Sequence, residues 1–328
     1  MKKCIYLMMV LALASCSDQQ LDEEVIGVCV KPNATSEAID AMKGIATNDA
    51  MLEADIKSLL QEEVAEHKKW SKAMVYVVET KTGRIKASVG LKRKRENFVP
   101  CTDNYEQEQS VMECGPMYLA LLSSGKITPK QQFDTGCGIY GEVKDHNWRN
   151  GGYGEISLER ALEVRSQVAF TMAKESIYGE SLSDFESKMN SYLAGKPNTA
   201  LGLLTFYNGV ANGGRMMELV SEGEGGIVLQ EQMAQPQHIK TLQTGLERCV
   251  THGLMRKAGR ESVKVAACGR TFDFQGGMKR MELCGYFPSE DPRYTIMVIQ
   301  EKKGLPASAS GMCGPMFARI VDLLLEKF

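Results

Sequence analysis

The chain of 328 residues carries a net charge of −2, and 43% of its residues are hydrophobic. This length suits one large core or two small domains. The near-neutral charge gives no reason to expect a nucleic-acid partner.

The first residues have the three parts of an export signal. A basic start is followed by the apolar residues 5–13, and Leu-Ala-Ser then precedes Cys16. The segment resembles a bacterial lipoprotein signal with Cys16 as the lipidated N-terminus, whereas an ordinary signal peptide with an incidental cysteine is the alternative. The small residues before Cys16 favour lipidation. We therefore expect residues 1–16 to be the signal, residues 17–46 a tether, and the protein to be a membrane-anchored lipoprotein of the cell envelope that faces the periplasm or the cell surface.

Residues 47–328 have the pattern of one α+β domain, in which strands from both ends of the chain form a sheet around a helical middle. The basic stretch LKRKRENF at 91–98 is predicted to be a solvated loop. The spacing of apolar residues predicts helices at 47–67, 108–126, 156–173, 203–210, 241–254 and 317–325, and strands at 74–78, 84–89, 263–267, 282–287 and 294–300.

Of the ten cysteines, eight follow Cys16. An exported protein can hold disulfides, but the sequence leaves their connectivity open. No pair of cysteines has the spacing of a structural zinc site, and the four histidines are scattered. We therefore expect neither a metal ion nor a cofactor.

A polar segment enters an apolar helix between residues 108 and 126. Ser110 and Cys114 lie near the predicted helix start, where backbone N–H groups stabilise an anion or a thiolate. Either residue is a candidate nucleophile.

The order of the sequence blocks resembles the transpeptidase domain of a class B penicillin-binding protein, closest to the cell-division type. The resemblance covers roughly residues 47–328. It implies a β-lactamase/transpeptidase-like fold, with a mainly antiparallel sheet packed against a helical subdomain. The segments that carry it are ETKTGRIKA (79–87), the segment from GKITP to SLERAL (125–162), FYNGVANGGRM (206–216), CGYFPSEDPRYTIMVIQE (284–301) and GPMFARIVDLLL (314–325).

The resemblance also implies three catalytic elements, and the first is replaced in this chain. In a Ser-x-x-Lys motif, a lysine one turn after the serine activates it. Ungapped matching places Val111 at the serine position and Cys114 at the lysine position. A shift of one residue makes Ser110 the nucleophile, but Glu113 then stands where the lysine belongs.

The other two elements are replaced as well. Arg165-Ser166-Gln167 stands at the position of the Ser-x-Asn element, and Cys268-Gly269-Arg270 stands at that of Lys-Thr-Gly. An intact Lys-Thr-Gly occurs at 81–83, but it connects two predicted strands ahead of any nucleophile and is interpreted as hairpin sequence.

These replacements predict a catalytically inactive protein that binds or scaffolds, with the peptidoglycan stem peptide or an envelope protein as its partner. Arg270 and Thr271 are the candidate ligand-binding residues, since an arginine can bind a carboxylate. A divergent D,D-transpeptidase or D,D-carboxypeptidase that uses Ser110 or Cys114 is the enzymatic alternative. A sensor of peptidoglycan fragments and a disulfide between Cys114 and Cys268 are also open.

Overall fold

The structure is a computed structural model that describes residues 36–66, 69–101, 110, 113–179 and 182–327. The predicted signal with Cys16, part of the predicted tether and Val111 lie outside the described residues. Within the described part of the chain, no helix is both long and apolar enough to cross a membrane. Residues 47–328 form one compact unit.

Helices dominate the middle of the chain and strands its two ends. The described residues form the helices α1 (Ser36–Glu66), α2 (Cys114–Ser123), α3 (Leu158–Val164), α4 (Gln167–Tyr178), α5 (Leu182–Tyr192), α6 (Ala200–Ala211), α7 (Pro236–Thr251) and α8 (Ala309–Lys327). They also form the strands β1 (Trp70–Glu79), β2 (Ile85–Lys94), β3 (Asn97–Pro100), β4 (Gln132–Asp134), β5 (Ile139–Tyr140), β6 (Val143–Lys144), β7 (Glu155–Ser157), β8 (Met216–Met217), β9 (Val228–Gln230), β10 (Ala266–Phe274), β11 (Met278–Phe287) and β12 (Tyr294–Lys303).

The main sheet is antiparallel, with the strand order β10-β11-β12-β1-β2-β3. Its inner strands β1 and β12 come from opposite ends of the domain, and Trp70 pairs with Lys302. The remaining strands form two-stranded ladders in the connecting segments. The predicted α+β class is therefore confirmed, including a sheet built from both ends of the chain.

Helices cover both faces of the sheet. Helix α8 packs on β11 and β12. Helix α6 is buried along its whole length and covers the same two strands from the other face. There the buried Asn208 donates to the carbonyl of Thr80 at 3.1 Å and accepts from the hydroxyl of Thr295 at 3.0 Å.

The predicted loop at 91–98 is wrong, because most of this stretch is strand. Residues 91–94 complete β2, and β3 begins at Asn97 after a short turn. Leu91 is buried in the core, and the guanidinium of Arg93 lies 4.6 Å from the centre of the Phe98 ring. The burial of Leu91 and the cation–π contact of Arg93 with Phe98 stabilise a strand pair that the run of charges conceals.

A group of charged side chains is fully buried against the sheet. Arg280 of β11 is 1% exposed and donates to Glu282 at 2.8 Å and to Glu301 at 2.7 Å. The second carboxylate oxygen of Glu282 accepts from the hydroxyl of Ser110 at 2.5 Å. Because buried charges are stable only when they are paired, this group fixes the chain just ahead of α2.

The glycine-rich loop 136–154 closes on itself through one tight contact. Gly152 has a φ of +71°, and a Cβ atom there would lie 2.2 Å from the carbonyl carbon of Cys137. In the same loop, the amide of Asp145 donates to the carbonyl of Gly138 at 2.9 Å. Only glycine permits this approach, and the resulting loop presents Asp145 to the start of α4.

Candidate functional site

A groove runs between the edge strand β10 and the helices that face it. It consists of a larger part of about 520 Å³ and a smaller part of about 200 Å³ at the start of α2. Three side chains, those of Arg165, Gln167 and Arg270, line both parts. The groove thus lies where the segments that sequence matching assigns to the three catalytic elements converge.

Helix α2 brings one of the two candidate nucleophiles, Cys114, to this groove. The helix begins at Cys114, and its apolar residues from Tyr118 to Leu122 are buried in the core. Cys114 is half-buried and lines the smaller part of the groove. Ser110 is fully buried, donates its hydroxyl to Glu282 and donates its amide to the carbonyl of Asn198 at 2.9 Å.

Cys114 and Cys268, which sequence matching predicts at the two lysine positions, have thiols that contact each other. Contact with the Cys268 thiol, followed by burial, raises the pKa of Cys114 well above its usual value. For Cys268, contact with Cys114 lowers the pKa, whereas contact with Cys249 and burial raise it. The net effect raises the pKa of Cys268 to about 12. Both cysteines are free thiols. At neutral pH they are therefore protonated and poor nucleophiles.

The junction of α3 and α4 contributes Arg165 and Gln167 to the groove. Arg165 has a left-handed backbone (φ 52°) and donates to the carbonyl of Gly269 on β10 at 3.0 Å. Between them, Ser166 is fully buried, and its hydroxyl accepts from the amide of Ala169 and donates to Asp145 at 2.8 Å. Ser166 therefore caps α4 and does not reach the groove.

Strand β10 supplies the candidate ligand-binding residues. Arg270 is half-buried and lies over the Phe272 ring at 5.7 Å from its centre. Burial and the positive charge of Arg165 lower the pKa of Arg270. Burial also raises the pKa of Glu113, although Arg270 opposes the shift. Thr271 lines the larger part, and its hydroxyl accepts from the first amide of α8 at 2.8 Å.

Sequence reasoning missed two further lining residues. Lys144 and His146 flank the capping Asp145 and line the larger part of the groove. Asp145 itself has a structural role, because it accepts from the hydroxyl of Ser166 and from the amide of Val168. Nothing in the local sequence signals that its neighbours reach a groove beside β10.

Comparisons with known proteins identify the fold. No protein-family model and no curated protein matches the chain. A peptidoglycan glycosyltransferase from Burkholderia ambifaria matches with a TM-score of 0.68 and 17% identity, over 85% of this chain and 96% of that one. The TP domain of penicillin-binding protein 3 from Burkholderia pseudomallei matches with a TM-score of 0.67 and 17% identity, over 85% and 94%. Penicillin-binding protein 2B from Streptococcus pneumoniae gives a TM-score of 0.70 and 14% identity, over 86% of this chain and 58% of that one.

The chain has the fold of a penicillin-binding-protein transpeptidase domain. The predicted β-lactamase/transpeptidase-like fold is thus confirmed. In this transpeptidase-like domain, the described residues that line the groove at Cys114 include no lysine or histidine that could serve as its base. Among the described residues, no group of three or more His, Cys, Asp or Glu side chains is arranged to hold a metal ion. The arrangement can hold an anion between two arginines more readily than it can activate a thiol.

Proposed function

We propose that the protein is a lipid-anchored, transpeptidase-like component of the cell envelope that binds the peptidoglycan stem peptide without acyl transfer. The observation that carries this proposal is the pair of arginines, Arg165 and Arg270, in a groove where the thiol of Cys114 is protonated. The same surface is open to a carboxylate of an envelope protein. The anchor is supported by the sequence before Cys16.

The enzymatic alternative has less support from the geometry. Acyl transfer needs a nucleophile and a base within hydrogen-bond reach. The Ser110 hydroxyl is fully buried and donates to Glu282, and among the described residues no lysine or histidine lines the smaller part of the groove, where Cys114 lies. Ser166 and Cys268 are buried as well. None of these side chains has the partners that would make it a nucleophile.

Incubation with a fluorescent penicillin should leave the protein unlabelled. The reason is that β-lactams trap an activated nucleophile, and the thiol of Cys114 stays protonated because of Cys268 and burial. The measurement is a denaturing gel followed by mass spectrometry, with an active transpeptidase domain as the positive control. A covalent adduct on Ser110 or Cys114 would refute the inactive state and favour the acyl-transferase.

A stem peptide with a free terminal carboxylate should bind through Arg270. Hydrogen bonds to charged groups contribute about 1.5–3 kcal/mol, so Arg270→Gln should weaken binding about tenfold to a hundredfold. Calorimetry provides the measurement, and Arg149→Gln, an exposed arginine outside the groove lining, is the matched control. A stem peptide whose terminal carboxylate is replaced by an amide should bind the unmodified protein more weakly by the same factor. Equal affinity of Arg270→Gln and Arg149→Gln for the stem peptide, or no binding of the peptide to the unmodified protein, would contradict the peptide-binding role.

A further inference from the structure

Positive charge is concentrated at one end of the main sheet. The antiparallel order brings the starts of β1 and β11 and the ends of β2 and β12 to this end. The acids described there are Asp273, which pairs with Lys279, Glu301, which pairs with the buried Arg280, Glu96 in the β2–β3 turn, and Glu62 and Glu63 near the end of α1, of which Glu62 pairs with Arg319. We call the cations at this end the basic rim, which consists of Lys69, Lys72, Lys92, Arg93, Lys94, Arg95, Lys279, Lys302 and Lys303.

The strand register sets like charges against each other in this rim. Lys72 lies directly opposite Lys92, and Lys279 lies directly opposite Lys302. Burial and the nearby Lys69 lower the pKa of Lys302. Like charges directly opposite each other weaken a sheet, although Lys279 pairs with Asp273 and the ammonium of Lys302 donates to the carbonyl of Pro306 at 2.6 Å. In a chain with a net charge of −2, this concentration of lysines does not follow from composition.

The exposed members of the rim point outward as a group. Lys69, Lys92, Lys94, Arg95 and Lys303 are exposed. Two of them, Lys94 and Arg95, lie at the turn between β2 and β3. A surface that presents dense negative charge would lower the repulsion within the rim and release counterions on contact. The partner that complements this surface is therefore a polyanion.

We propose that the basic rim binds the anionic phosphate headgroups of a lipid bilayer. Each lysine or arginine near an anionic leaflet strengthens binding about fivefold, so several cations act together. The inference rests on the membrane anchor of the proposed function, because the predicted tether keeps the domain within about 100 Å of the bilayer even when it is extended. Contact through the rim would then orient the domain on the membrane.

The full chain tests this with two kinds of vesicle. Binding to vesicles of phosphatidylcholine alone reports the lipid anchor, and the additional binding when about one-fifth of the lipid is phosphatidylglycerol reports the rim. We expect that increment to be at least tenfold at about 0.1 M salt and to fall strongly at about 0.5 M salt. Co-sedimentation measures both quantities, so failure of the anchor and failure of the rim are distinguishable.

Variants locate the effect on the molecule. The triple change Lys94→Glu, Arg95→Glu and Lys303→Glu should remove the additional binding to phosphatidylglycerol vesicles and leave binding to phosphatidylcholine unchanged. Glutamine at the same three positions should reduce the additional binding by less. The triple change Lys126→Glu, Lys196→Glu and Lys240→Glu is matched in charge and exposure but lies on the helical part, so it should keep the increment. Circular dichroism checks the fold. No phosphatidylglycerol increment, an equal loss in the matched control, or tighter binding to a DNA duplex of the same phosphate concentration would each overturn the proposal.

Discussion

Replacing Arg280 with methionine should lower the free energy of unfolding by about 3–5 kcal/mol. The change removes the cation between Glu282 and Glu301 while leaving both carboxylates at a buried site. An uncompensated buried charge is far more costly than the loss of an exposed pair, since water cannot solvate it. Urea denaturation followed by circular dichroism measures the difference.

Two further variants show whether burial of charge is the cause. Arg319→Met removes an ion pair with Glu62 in which both side chains are partly exposed, and it should cost less than about 1 kcal/mol. The triple variant Arg280→Met, Glu282→Gln and Glu301→Gln has no buried charge left at this site and should recover much of the lost stability. A small effect of Arg280→Met, or no recovery in the triple variant, would contradict the role assigned to this group.

Gly152→Ala should destabilise the protein by at least about 3 kcal/mol, because the loop backbone has to move. The new Cβ atom would overlap with the backbone of Cys137 and Gly138. The displaced loop would carry Asp145 away from Ser166 and from the amide of Val168, so the first turn of α4 should lose one of its two acceptors and keep only Ser166. Thermal unfolding and hydrogen exchange of the amides at the start of α4 measure the two effects.

Gly141→Ala is the matched control for backbone conformation alone. Gly141 has a φ of +58°, and a Cβ atom there would meet nothing within 4 Å. Alanine at this site should therefore cost only about 1 kcal/mol, the usual penalty of a left-handed residue. Equal destabilisation by the two substitutions would show that steric contact at Gly152 is unimportant.

The elements that the sequence predicts best are those with a regular spacing of apolar residues. The period of apolar residues reveals α1, α2, α7 and α8, and the hairpin around Gly83 reveals β1 and β2. The short strand β3 and helix α5 were missed, since β3 has only four residues and none of them is fully buried, and α5 lies in a polar segment with three buried residues. Local pattern is a weak guide where few residues face the core.

The site is less predictable, because its roles depend on distant partners. Motif matching brings Arg165, Gln167 and Arg270 to one groove. It cannot show that Ser110 donates to Glu282, which lies 172 positions away, or that Ser166 is committed to a helix cap. The basic rim is equally hidden, since only the strand register brings its separate lysines together.

The pairing of β1 with β12 has a consequence for how the chain folds. Residues 70 and 302 face each other in the middle of the sheet, so the central ladder cannot form until nearly the whole polypeptide is available. Contacts of such long sequence separation slow folding, because the loop-closure entropy is lost before they form. We infer that the chain acquires its central sheet late in folding, after most of its helices can form.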